Sequence, residues 1–294
     1  MNNEIRSRGE KIFDICNVIF MFLLMFIFIY PFWDTLILSF SDAAEANRMG
    51  FRFLPKFPLN LEAYKKVFAQ REFLTAAYNS VWRTVVGTLA TTAFTFAGAF
   101  VLAKKSLPFR KAITMFITIT MFFGGGLVPT YLLMQKIHLA GSRWAWIIPG
   151  LTSAWYLFIT RNFLMGIPDT IEEAARIDGA NTFQVMTQII LPMSKPVLAV
   201  IALWSAVGQW NSWYDAQLYT NTDSLMVLQL LLRRILVNSD PEILAGALTA
   251  STTITTPETV KAATIIVTVL PIVMTYPFFQ KYFVKGVNIG SIKG

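Results

Sequence analysis

Glu173-Ala174-Ala175-Arg176-Ile177-Asp178-Gly179-Ala180-Asn181-Thr182-Phe183-Gln184-Val185-Met186-Thr187-Gln188-Ile189-Ile190-Leu191-Pro192 is a polar, turn-punctuated island between two long apolar segments. Gly166 and Pro168 stop the segment before it. Asp169 is suited to cap a helix N-terminus, and Glu172 sits three residues on, in capping-box register. The spacing therefore predicts a helix over 170–177. Within it, Glu172 and Arg176 form an i,i+4 pair worth about 0.2–0.5 kcal/mol. Gly179 follows, the residue of choice for a left-handed C-terminal turn. Asn181 or Thr182 then caps a second helix through Ile190, and Pro192 and Pro196 separate it from the next apolar segment. Two short helices joined by a glycine turn make a rigid element that can seat in a cleft on a soluble partner and transmit force. Their apolar face (Ile177, Phe183, Val185, Met186, Ile189, Ile190) is partly exposed without such a partner. The plain alternative is an amphipathic helix lying on lipid headgroups. A DNA-binding helix-turn-helix is disfavoured, because both flanks are apolar spans.

Composition sets the surroundings of that island. Of 294 residues, 55% are hydrophobic and 14% charged, against about 45–50% and about 25% in soluble proteins. Mean hydropathy is +0.53. The class is integral membrane and all-α. One cysteine, Cys16, and one histidine, His138, build neither a disulfide framework, nor a zinc site, nor a Cys/His nucleophile pair; no metal site is expected. His138 reads as solvated surface. The net charge of +8 comes without a basic run or an aromatic-basic module, so nucleic acid is not an expected partner; membrane lipid is. Arg6, Arg8 and Lys11 precede an apolar run towards Phe40. That run exceeds the roughly 7–15 residues of a signal-peptide core, and is expected to be a retained first span.

A hydrocarbon core of about 30 Å takes about 20 apolar helical residues. Six stretches qualify or nearly qualify: 12–38, 76–103, 112–135, 144–165, 196–217 and 257–284. The second is rich in Thr, Ala and Gly, which let membrane helices approach closely. The fourth is interrupted by Pro149-Gly150. Residues 39–75 and 218–256 are long polar loops, the first expected to hold short helices. Residues 104–111 are tight and basic. The expected division is 1–75 (first span and long outer loop), 76–284 (a five-helix core holding the inner loop 166–195 and the outer loop 218–256) and a tail, 285–294. Lys and Arg fall almost evenly on the two faces. The dense cluster at 104–111 favours cytoplasmic termini, because short loops dominate that rule.

Glu173-Ala174-Ala175, three residues, Gly179, nine residues, Ile189, one residue and Leu191-Pro192 together resemble the EAA loop of ABC-importer permeases. Asn60-Leu61-Glu62-Ala63-Tyr64 with Asn79-Ser80 resembles the lead into the second span of the maltose-type carbohydrate branch. The last fourteen residues, Lys281 to Gly294, are similar to the tail of the maltose-type subunit. Phe123-Gly124-Gly125-Gly126-Leu127-Val128-Pro129 and the fourth span resemble a subgroup linked to complex plant-polysaccharide oligomers of the rhamnogalacturonan and pectin type. The resemblance implies the type I ABC importer permease (MetI-like) fold of six transmembrane helices, in a bacterial cytoplasmic membrane with both termini cytoplasmic. It implies a second, non-identical permease, two ATPase subunits, an extracytoplasmic solute-binding protein and an oligosaccharide as partners. It makes Glu172, Glu173, Ala174, Ala175, Asp178, Gly179, Phe183, Ile189, Leu191 and Pro192 the ATPase-coupling surface. Gly290, Lys293 and Gly294 would reach the ATPases from the tail. No Gly-x-x-x-x-Gly-Lys-[Ser/Thr] loop occurs, and no Gly-Lys pair. ATP and magnesium would therefore sit in partner chains, with no cofactor and no catalytic residue here.

Phe123, Gly124, Gln209, Trp210, Asn211, Trp213, Tyr214 and Asp215 are candidates for the substrate path, with Trp204 beside them. Sugars suit aromatic platforms with amide and carboxylate partners, and polar residues at membrane depth usually face a cavity or another helix. An interfacial aromatic belt reads the same way, and in maltose-type pairs the sugar site can lie in the partner subunit. Gly124-Gly125-Gly126 reads either as local unwinding beside the pore or as close helix packing. Loop 218–256 carries the apolar run 225–237 and resembles the maltose-type loop that reaches into the binding protein. Three other functions compete. A permease for peptides or amino acids shares the coupling loop. A membrane enzyme needs convergent titratable groups, whereas Asp14, Asp34 and Asp215 are scattered and lack a histidine. A secondary transporter often shows internal repeats, and none is visible.

Overall fold

The computed structural model describes residues 8–48, 50–220, 222–238 and 255–290, with backbone alone for Arg8, Asn238 and 276–290. The described residues are helical, with no strand among them. Two compact units are drawn from Met1–Gln70 with Arg234–Val269, and from Arg71–Arg233 with Leu270–Gly294.

In the first unit, α1 (Arg8–Ser39) carries its apolar side chains around its whole circumference. That is the pattern of a helix bathed in lipid or in another subunit. The polar segment after α1 folds onto its end. Asp42 caps α2 (Ala43–Ala46) by accepting from the Glu45 amide at 2.8 Å. The Asn60 amide donates to the Phe40 carbonyl, and the Ser39 hydroxyl meets the Tyr64 hydroxyl of α3 (Glu62–Ala69) at 2.7 Å. The expected short helices are present. Asp34 is not the isolated acid it seems in the sequence: Arg52 reaches it at 3.4 Å and anchors the loop by donating to the Ala46 carbonyl.

In the second unit, α4 (Arg71–Ala103) is the central rod. It packs against α7 (Ala154–Leu164) and α10 (Lys195–Asn211). The approach to α10 depends on a small residue: a Cβ on Gly87 would lie 2.8 Å from the Gln209 side chain. Phe96, Ala99, Phe100 and Leu102 of α4 are buried with Leu164, Val197, Leu198 and Ile201. Asn79 donates to the carbonyls of Ser224 and Met226, and Ser80 accepts from the Leu228 amide.

The span prediction needs correction in four places. The third predicted span is two helices, α5 (Arg110–Phe122) and α6 (Leu127–Lys136), bent by 113°. Residues 123–126 between them are not helical, and Gly126 sits at φ +85°, where a glycine pays no Cβ penalty. Unwinding, not close packing, describes this triplet, for nothing stands within 4 Å of a Cβ at Gly124 or Gly125. The fourth span is interrupted at Pro149-Gly150 as expected, but more extensively: two 3-10 turns, Arg143–Trp146 and Ile148–Gly150, precede α7 of only 11 residues. Pro149 breaks the amide ladder there. The fifth ends at Asn211 rather than continuing to 217; α11 (Tyr214–Tyr219) is separate. The last helix, α13 (Pro257–Gly290), continues past the point where the tail is expected to begin. Among the described residues, three helices are long and apolar enough to cross a membrane, or up to five if each bent pair counts as one span.

The apolar run at 225–237 also behaves differently from a free loop. Val227, Leu228, Leu230 and Leu231 are buried, and α12 (Leu228–Arg233) lies in the core with Trp146, Ile147 and Ala216. Residues 239–254 lie outside the described ones.

Candidate functional site

The inner loop folds as the helix–glycine turn–helix its sequence implies. α8 runs Asp169–Ile177, one residue earlier than expected. Pro168, not Asp169, occupies the N-cap position and gives no side-chain cap. The Asp169 carboxylate instead accepts from Lys105 at 2.6 Å. Gly179 adopts φ +85°, and the Ala180 amide closes back on the Ala175 carbonyl at 2.9 Å. α9 (Thr182–Met193) opens with a full capping box: Asn181 accepts from the Gln184 amide at 2.9 Å, and Gln184 accepts from the Asn181 amide at 2.8 Å. Its middle, Val185–Ile190, is π-helical, which the sequence does not announce. Ser194 then turns the chain by 80° into α10.

The predicted coupling residues, taken with the rest of the loop's apolar face, divide into two sets. Ala175, Val185 and Ile190 are buried in the core cluster, with Met186 and Ile189 packed at its edge. They hold the loop on the helices behind it. Glu173, Ala174, Asp178, Gly179, Pro192 and Leu191 are exposed, and Ile177 and Phe183 are 85% and 69% exposed. Glu172 is half-buried. Arg176 donates to it at 3.0 Å as expected, and Lys104 at the end of α4 pairs with its other oxygen. Burial pushes the Glu172 carboxyl up, but Lys104 and Arg176 outweigh that and hold it below the usual carboxylate range. The hydrogen bond and charge of Lys105 do the same for Asp169.

The substrate-path candidates do not form one group. A cavity of about 670 Å³ is lined by Trp146, Trp155, Tyr156, Trp204 and Tyr219, with Ser153, Ser205, Gln209, Ser212 and Asp215 among them. Such a volume and mixture suit a small polar ligand. Tyr156 and Trp204 stack at 6.1 Å. Of the candidates, Gln209 and Asp215 line this cavity. Trp210 is buried and faces a separate apolar cavity with Val81, Leu203 and Pro271. Asn211 accepts from Gln229 at 3.4 Å, and Trp213 lies under the Arg233 guanidinium at 3.8 Å. Tyr214 packs edge-on against Trp213 at 5.5 Å. Phe123 and Gly124 stand in the bend between α5 and α6 and do not line the large cavity. Gly290 ends α13; Lys293 and Gly294 lie outside the described residues.

Arg83 is the residue the sequence reading missed. It is 2% exposed on α4 and lines the large cavity. Its guanidinium grips Asp215 with both terminal nitrogens, donates to Gln209 at 2.9 Å and to the Ser212 carbonyl at 3.3 Å, and lies 5.8 Å from the Trp146 ring centroid. The signal was available: Arg83 is the sole charged residue inside 76–103, and an ionisable side chain within a span is a site hypothesis by default.

An all-helical chain with membrane-length apolar helices, a polar–aromatic cavity and a presented contact loop is the membrane subunit of a transport assembly. No protein-family model matches the chain. It is 38% identical over 288 residues to protein LplC of Bacillus subtilis, covering 98% of this chain and 97% of that one. It is 35% identical over 289 residues to the polygalacturonan/rhamnogalacturonan transport system permease YtcP of the same organism, covering 97% and 99%. A chain of the crystal structure of a bacterial ABC transporter that imports the acidic polysaccharide alginate superposes with a TM-score of 0.90 at 30% identity, covering 96% of this chain and 100% of that one. The chain belongs to the permease subunits of carbohydrate ABC transporters.

Proposed function

We propose that this chain forms one half of the translocation pathway of a bacterial ABC importer. In this reading, an extracytoplasmic binding protein delivers an oligosaccharide, a second, non-identical permease completes the path, and two ATPase subunits dock on the 166–195 loop. Both termini lie in the cytoplasm. The observation that carries the reading is the coupling loop itself, capped and anchored behind, with Ile177, Phe183 and Glu173 presented outward. The aromatic and amide lining around Trp204 and Gln209 supports a sugar over a peptide, as do the relatives named for polygalacturonan/rhamnogalacturonan transport and alginate import. Ion-driven transport without an ATPase has no comparable support.

The test is ATPase activity in liposomes that hold this chain, its second permease and the ATPases, challenged with binding protein and a panel of neutral and uronic-acid oligosaccharides. Stimulation by one sugar class is expected. A complex stimulated by peptides alone, or a chain that captures no ATPase, overturns the reading. Glu173→Lys should release the ATPases while leaving the spans folded, because Glu173 is exposed.

A further inference from the structure

We infer that α4 is the strut that joins the substrate cavity to the docking loop, and that Lys104, at its inner end, is the positioning residue at that joint. The inference rests on the docking reading above. One rod carries both ends. Near its start, Arg83 binds Gln209 and Asp215 of the cavity wall, and Asn79 and Ser80 bind Ser224, Met226 and Leu228 further along the chain. Thr91, also on α4, lines that cavity. At its far end, Lys104 pairs with Glu172 of α8 and lies 4.2 Å from the Phe100 ring centroid. Lys105 pairs with Asp169 on the same helix. The two joints differ in strength. Lys105 and Asp169 are both largely exposed, whereas Lys104 and Glu172 are 24% and 21% exposed, so solvent and salt screen the second pair less. Between the two ends, α4 is continuously helical over 33 residues, and a helix transmits displacement along its axis better than a loop. A shift of the cavity wall on Arg83 is therefore delivered to Glu172, and through the Glu172–Arg176 bond to the exposed face of α8.

The experiment uses the reconstituted importer. Lys104→Met keeps an unbranched side chain and removes the ammonium that pairs with Glu172 and lies over the Phe100 ring. ATPase co-purification and basal hydrolysis should be retained, while stimulation by sugar-loaded binding protein falls by at least about fivefold, the low end of coupling between distant sites. Lys104→Arg, which keeps a cation beside Glu172, should retain stimulation. Lys105→Met should reduce it less. Full stimulation in Lys104→Met, or a Lys104→Arg variant no better than Lys104→Met, overturns the inference. Loss of the ATPases from Lys104→Met overturns it in favour of a plain docking contact. Failure of the unmodified chain to bind any ATPase sinks the docking reading instead, so the two failures are distinguishable.

Discussion

Single residues carry the sharpest commitments. Arg83 is buried and its partner Asp215 is 24% exposed, so removing one partner leaves the other charge poorly compensated and costs towards the low end of the about 3–5 kcal/mol of a fully buried pair. Arg83→Met should therefore cut the amount of folded protein in the membrane. The double variant Arg83→Met with Asp215→Leu should recover much of it, as read by size-exclusion chromatography of detergent extracts. If the double variant accumulates no better than the single one, the pair is not what holds this wall together. Gly179 is a second commitment. Its φ of +85° costs a β-branched side chain about 1–2 kcal/mol, although nothing within 4 Å would obstruct a Cβ. Gly179→Val should weaken ATPase capture and Gly179→Asn should largely keep it, since Asn tolerates the left-handed region. Equal capture by both variants would show that the turn's strain is irrelevant. The Gly179 turn was legible because a positive-φ requirement selects glycine locally. Arg83's partners were not, because its bonds to Gln209 and Asp215 span 126 and 132 residues, and no local pattern encodes such a meeting.

Elements show what periodicity reads and what it does not. The helices of the coupling loop and a cap at Asn181 were legible, for caps act within four residues; the capping box, however, forms at Asn181 and Gln184 and not at Asp169 and Glu172, where Pro168 takes the N-cap position and Lys105 draws Asp169 away. The bends were less so: an apolar run records burial in lipid, not straightness, and 112–135 looks the same whether or not it folds through 113°. The bend has its own test. Gly126→Val should lower the thermal midpoint of the purified protein, because the φ of +85° is forced there. Gly124→Ala, with open space around it, should not. Equal midpoints would place the turn's strain elsewhere. The joint between α4 and α8 carries a pH dependence of fixed sign. Glu172 titrates lower in the folded chain than its unfolded value of 4.5. Its contribution is therefore present above pH 4.5 and is lost as pH falls through the folded value. Melting of the wild type and Glu172→Gln should differ most near neutral pH and converge on acidification below pH 4.5. A gap that widens on acidification would reverse the assigned sign.

At the scale of the whole molecule, topology is where sequence and helices must be reconciled. Among the described residues three helices are long and apolar enough to span, or up to five if each bent pair is one span, whereas six apolar stretches were read from the sequence. The difference lies at 144–165, where Pro149 and two 3-10 turns leave only the 11 residues of α7 as regular helix. Such a helix is about 16 Å long at 1.5 Å per residue, half of a hydrocarbon core of about 30 Å. The 3-10 turns upstream must supply the remaining depth, and irregular backbone at that depth is tolerated only where protein or a water-filled cavity covers it. The large cavity lies there, with Trp146, Pro149 and Gly150 in its wall. If residues 143–164 cross as one broken span, the termini share a side, and that side also holds 104–111 and the coupling loop. Cysteine scanning checks it directly. With Cys16→Ser as background, a cysteine at Ser106 or Gln188 should resist a membrane-impermeant maleimide in intact cells, and one at Lys56 or His138 should react. Labelling of Ser106→Cys and Gln188→Cys on opposite faces would mean that 143–164 re-enters without crossing. The coupling loop would then sit on the face where no ATPase can reach it.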